Sequence, residues 1–128
     1  MNDSFQTDLV VNDVIHSGFL VTKVGENLFR LEEHPILSEE VNYKDIIEAK
    51  AEDGKLVFQK LNQESDLKHF DYIFSKENHE SEKFENLLKQ IDENGGYWTK
   101  AFGGCLLVSL PKDSNFDLDK KVQELFRK

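Results

Sequence analysis

One cysteine, Cys105, occurs in the 128 residues, which excludes an internal disulfide framework and any CxxC zinc or redox site. Proline is nearly as scarce, with Pro35 and Pro111 alone, so strands and helices can run uninterrupted over long stretches. No apolar run approaches the roughly 18 residues of a membrane-spanning helix. The longest, CLLVSL from Cys105 to Leu110, is strand-sized. The amino-terminal MNDSFQTDLVVNDVIHSG lacks the basic start and apolar stretch of a signal peptide, so a cytoplasmic location with no membrane partner is expected. Basic clusters are missing too. Lys and Arg number 16 against 25 Asp and Glu, and no group of them is placed to neutralise a phosphate backbone, so nucleic acid is not an expected partner.

What is present is acid, unevenly placed. Of the formal net charge of −9, residues 1–64 carry −7 and residues 65–128 carry −2. Such a field attracts a basic protein over long range. The 38 % hydrophobic content and ten Phe supply a core that needs neither metal nor cross-link.

The first half reads as strands and turns. SGFLVTKV (17–24) and NLFRLEE (27–33) flank the glycine-containing turn GEN, and DLVVNDVIH (8–16) extends or precedes the first of them. The connection EEHPILSEEVNYKD (32–45) is broken by Pro35. IIEAKA (46–51) and KLVFQKL (55–61) form a hairpin about Asp53-Gly54. Four or five such strands predict a curled antiparallel sheet or partial barrel.

In the second half the period changes. HFDYIFS (69–75) puts Phe70, Tyr72 and Phe74 on one strand face. Phe84, Leu87, Leu88 and Ile91 then fall on one helical stripe, with Asn78 as the expected N-cap and Gly95 just past the end. YWTKAF and CLLVSL follow as strands, and FDLDKKVQELFRK as a helix capped by Asp117. The fold class is α+β: a β-rich subdomain over 1–64, then a β-α-β-β-α unit over 65–128, half of a ferredoxin-like arrangement, together forming one domain. Residues 55–61 are expected to complete the second sheet.

Candidate chemistry is weak throughout. Gly103-Gly104 precede a strand and not a helix, so they form no phosphate loop, and Phe102-Gly-Gly-Cys105 fits a two-residue hairpin turn. Cys105 is then a small apolar strand residue and not a nucleophile. His16, His34, His69 and His79 form no HxH or HExxH spacing. His34 with Glu32, Glu33, Glu39 and Glu40 could converge on a metal, but carboxylates at that density read first as a solvated face. The serines show no GxSxG elbow. No enzyme and no cofactor are expected.

The stretch VTKVGENLFRLEEHPILSEEVNYKDIIEAKAEDGKLVFQKL, with Gly25, Phe29-Arg30-Leu31, Pro35, Lys44-Asp45-Ile46-Ile47 and Asp53-Gly54, resembles a bacterial family of small proteins, domain of unknown function 4265. The resemblance spans about residues 20–112 and continues in the helix, glycine turn, apolar strand and Leu110-Pro111 of the second half. Lys44 stands where that pattern has glycine, and QESDLKHF lacks its turn. The resemblance implies a bacterial cytosolic protein with a β-rich half before an α+β half, and it carries no catalytic residues.

The expected function is therefore a non-enzymatic, acidic protein-binding protein, an immunity or antitoxin-like inhibitor of a basic toxin. Its expected contact residues are Glu32, Glu33, Glu39, Glu40, Asp45 and Glu48. The alternative is a regulatory domain binding a small molecule or metal in a pocket between the halves.

Overall fold

Two hairpins of the first half close on two-residue turns in which both residues take positive φ: Asn12-Asp13 at 48° and 68°, and Asp53-Gly54 at 50° and 78°. These primed turns match the twist of paired strands. The first joins β1 (Ser4–Val11) to β2 (Val14–Gly25), and the second joins β4 (Ile46–Glu52) to β5 (Lys55–Gln63). Between them β2 turns at Glu26-Asn27 into β3 (Leu28–Leu31). The computed structural model describes residues 3–36, 40–101 and 103–126.

The five strands form a closed barrel in chain order. An odd number of up-and-down strands leaves the first and last running the same way, so β1 meets β5 in parallel, through Asp8–Lys55, Leu9–Leu56 and Val10–Val57. Register shifts at Thr7/Leu9, Lys23/Gly25 and Glu48/Ala49 bend the strands as closure requires. Inward positions such as Leu9, Val21, Leu31 and Ile47 are fully buried, and Val41 from the long connection joins them. The curled sheet expected from the pattern is thus a closed barrel. The expectation that 55–61 completes the second sheet is overturned, because β5 is held on both sides by β4 and β1.

The chain divides into two compact units, the first ending at Ser65 and the second beginning at Asp66. The second unit runs β6 (Leu67–Ile73), α1 (Lys76–His79), α2 (Glu82–Glu93), β7 (Tyr97–Ala101), β8 (Cys105–Pro111), α3 (Leu118–Phe126). Its sheet has β8 in the centre, antiparallel to both β6 and β7. The stripe Phe84, Leu87, Leu88 and Ile91 is the buried face of α2, packed with Phe74, Leu106, Val108 and Leu110. Burying such a helical face supplies most of a helix's stability.

The helix start differs from expectation. Ser75 caps the short α1, and Ser81, not Asn78, caps α2 by accepting from Phe84 N at 3.3 Å. A serine hydroxyl at either position competes for the orphan amides, so one predicted helix becomes two. The far end follows the pattern: Gly95 (φ 76°) donates to Asp92 O and Gly96 N to Ile91 O, the paired bonds of a Schellman motif. Asp117 caps α3 through Lys120 N at 3.1 Å. Ala101 pairs with Cys105, so three residues and not two lie in the glycine hairpin; its first, Phe102, is outside the described residues.

Candidate functional site

The six carboxylates expected to meet a partner fare differently. Glu32 follows β3 with its side chain 10 % exposed and is held by its own chain. Arg30 approaches through Nε at 2.9 Å and Nη2 at 2.8 Å, Thr22 Oγ1 donates at 2.5 Å, and Lys44 Nζ forms an ion pair with the second oxygen. Ser4 extends the network through Thr22 at 2.6 Å. Glu33 accepts the amide of Leu20 at 2.5 Å. Asp45, 2 % exposed, accepts from the amides of Asn42 and Ser65, each at 2.8 Å. These three carboxylates are therefore engaged with the barrel itself. Glu40 is exposed, and Glu48 is half-exposed on β4 opposite Leu28 and Lys60. Glu39 lies outside the described residues.

Lys44 adopts φ 71°, the left-handed conformation that glycine takes without strain, at the position where the family pattern led us to expect glycine. Its amide donates to Leu31 O at 2.7 Å while its ammonium reaches Glu32. The strained backbone thus delivers a charge to a nearly buried carboxylate. His34 is buried against the ring of Tyr43, at 5.3 Å between centroids. Among the described residues no three His, Cys, Asp or Glu side chains are grouped to hold a metal.

Burial alone would raise the pKa of Glu32, but the hydrogen bonds from Lys44, Thr22 and Arg30 outweigh it and hold the carboxyl at about 2, against an ordinary 4.5. A depressed carboxylate pKa stabilises the fold above the unfolded value, and that contribution is lost as pH falls through the folded value. The partners Arg30 and Lys44 are more than a third exposed, so solvent screens part of the gain. Replacing Glu32→Gln is expected to cost about 1–3 kcal/mol at pH 7. The gap from wild type should narrow as pH falls from about 5 to about 2, where the unfolded chain takes up a proton that the native carboxylate still excludes. Denaturant unfolding at pH 7 and pH 3 checks this; an equal gap at both would show that the charge is not what matters.

The second unit brings together polar groups that no sequence spacing connects. His69 on β6 and Ser109 on β8 are cross-strand partners, with Nδ1 and Oγ 2.7 Å apart, and Tyr97 on β7 flanks Ser109 in the same row. Ser109 is 1 % exposed, so this hydroxyl bridges strands inside the sheet and is not presented to a substrate. Only the register of β6 on β8 makes the pair, which is why residue spacing did not find it. Burial and a hydrogen bond to Asp119 raise the pKa of Tyr72. Burial lowers that of His16, whose Nε2 has no hydrogen-bond partner among the described residues. Cys105 is half-buried, with Ala101 and Ile73 as its ladder neighbours.

A closed five-stranded barrel followed by a three-stranded antiparallel sheet with helices defines a mostly β protein of mixed α and β elements. The chain belongs to the family described as Domain of unknown function (DUF4265), whose model matches residues 18–127, from within β2 to the end of the last helix. No curated protein matches it. Among solved structures it is similar to a hypothetical protein from Neisseria gonorrhoeae, with 20 % identity and a TM-score of 0.65 over 97 % of this chain and 86 % of that one. At that identity the likeness shows the fold.

Proposed function

We propose that the protein is a non-enzymatic binding protein that engages a basic protein partner through the acidic surface of its barrel unit, in the manner of a bacterial immunity or antitoxin-like inhibitor. One observation carries this reading. With Glu32, Glu33 and Asp45 engaged by their own chain, four other carboxylates, Glu26, Glu48, Glu52 and Asp53, still gather at the end of the barrel that carries the β2–β3 and β4–β5 turns. The β2–β3 turn bearing Glu26 lies beside Glu48, where Asn27 O accepts from Ala49 N at 2.9 Å, and β4 runs on to the exposed Glu52 and Asp53. Both turns fall at the same end because the strands alternate in direction. Lys50, paired with Glu52 at 3.8 Å, and Lys55 and Lys60, opposite Glu52 and Glu48 in the ladder, offset part of that charge.

Rim charges of this kind chiefly set association rate and its salt dependence. The test is capture of partners from bacterial lysate on the tagged protein, at low and high salt, beside a variant carrying Glu26→Lys, Glu48→Lys and Glu52→Lys. A basic protein bound stoichiometrically should lose about tenfold in affinity to the reversed surface, with most of the loss in the association rate. Equal capture by both forms would refute the electrostatic reading. We also read the second unit as the β-α-β-β-α half of a ferredoxin-like arrangement, which the position of β8 between β6 and β7 supports.

A further inference from the structure

Strand β6 lies at one edge of the second unit's sheet, and among the described residues it pairs with β8 and no other strand. Edge strands that must stay unpaired usually carry a bulge, a proline or a free outward lysine. β6 has none of these. Its register with β8 is unbroken from Leu67 to Ile73, and its one lysine, Lys68, is turned back to Ser114 O at 3.3 Å. Ile73 stands 87 % exposed, the most exposed large hydrophobic side chain among the described residues.

The backbone pattern says which groups face the open side. Phe74 N donates to Gly104 O at 2.8 Å, next to the Ile73–Cys105 pair. In an antiparallel ladder bonded residues alternate, so the even-numbered residues of β6 bond to β8. The N–H and C=O groups of Leu67, His69, Asp71 and Ile73 therefore point away from it.

We propose that β6 is a dimerisation edge, at which two copies of this chain pair β6 with β6 antiparallel about Phe70 and merge their three-stranded sheets into one. The occupant is argued from self-complementarity. Rotation about Phe70 sets each outward-facing residue against another outward-facing residue, so the two ladders fit. It places His69 opposite Asp71 of the second copy and Leu67 opposite Ile73 of the second copy. Polar pairs that can share a hydrogen bond, as an imidazole and a carboxylate can, and apolar cross-strand pairs are favourable kinds. Both occur twice by symmetry, as an isologous interface requires. The exposed isoleucine gains an apolar neighbour. The other edge, β7, is less suited: it has five residues, its exposed Lys100 discourages pairing, and Trp98 Nε1 is held by Asp92 on α2 at 2.9 Å.

The experiment is sedimentation velocity of the full chain from about 5 to about 500 μM, a range set by the modest interface that one strand pair provides. It is run beside Ile73→Lys, whose side chain has no packing to lose. The wild type is expected to dimerise within that range, and the variant to dissociate at least tenfold more readily. Thermal unfolding followed by Trp98 fluorescence in the dilute, monomeric regime should be the same for both, which separates a lost interface from a lost fold. A wild type monomeric throughout, or a dimer that Ile73→Lys weakens less than tenfold, would overturn the proposal.

Discussion

Gly104→Ala is expected to unfold the second unit more readily than any other single methyl addition in its β7–β8 hairpin, at a cost of about 3–5 kcal/mol. A Cβ built on Gly104 stands 1.9 Å from the carbonyl oxygen of Phe74 and 2.7 Å from its carbonyl carbon. Both are backbone atoms, so no rotamer change relieves the clash. Phe74 cannot retreat cheaply. Its amide donates to Gly104 O at 2.8 Å, and its ring packs edge-on against Phe84 at 5.2 Å and against Phe126 at 4.9 Å. Pushing β6 off β8 thus loosens the contacts that tie β6 to both α2 and α3. The neighbouring Gly103 is the control: its φ is 67°, but a Cβ there meets nothing within 4 Å. Gly103→Ala should cost only the left-handed penalty of about 1–2 kcal/mol. Trp98, the only tryptophan, lies in this unit and reports its unfolding directly in a denaturant titration. Equal losses for the two variants would mean that the sheet yields at Gly104, and that the close approach is not the reason for glycine there.

The second large effect belongs to the barrel. Asp45→Ala is expected to destabilise the first unit by about 2–5 kcal/mol, because the carboxylate satisfies two amides that would otherwise lose their acceptors. Asn42 N and Ser65 N each donate to it at 2.8 Å, one from the long connection and one from the chain just beyond β5. The backbone of Asp45 adds a bond from Leu31 N at 2.9 Å, so this residue joins β3, the connection and the end of the barrel unit. Asp45→Asn keeps one acceptor and should lose about half as much. Far-UV circular dichroism with hydrogen exchange of the Ser65 amide is the suitable measurement. A loss below about 1 kcal/mol would show that water replaces the carboxylate without penalty.

The two residues show what could be read in advance. Gly104 was visible as a hairpin glycine, and the hairpin is there. Its stricter requirement comes from the third strand lying against it, 30 positions earlier in the chain, which no turn rule contains. Asp45 was visible only as one acid among many in a charged connection. An Asp pointing to solvent and an Asp aimed at two amides have the same local signature. The same holds for Glu32, whose three donors come from β2, β3 and the connection, and for His69 with Ser109.

Local chemistry did determine much of this molecule. Strand alternation, Asp53-Gly54, the stripe on α2, Gly95 after it and Asp117 before α3 all act over a few residues, where backbone sterics and one buried face decide the outcome. The uneven acidity is likewise a property of composition. Tertiary structure alone decided that the first sheet closes, because pairing β1 with β5 depends on accumulated twist and bulges and not on any one strand. It also decided which carboxylates remain outside, since that depends on donors brought from distant strands to a position that burial has already made costly for an unpaired charge.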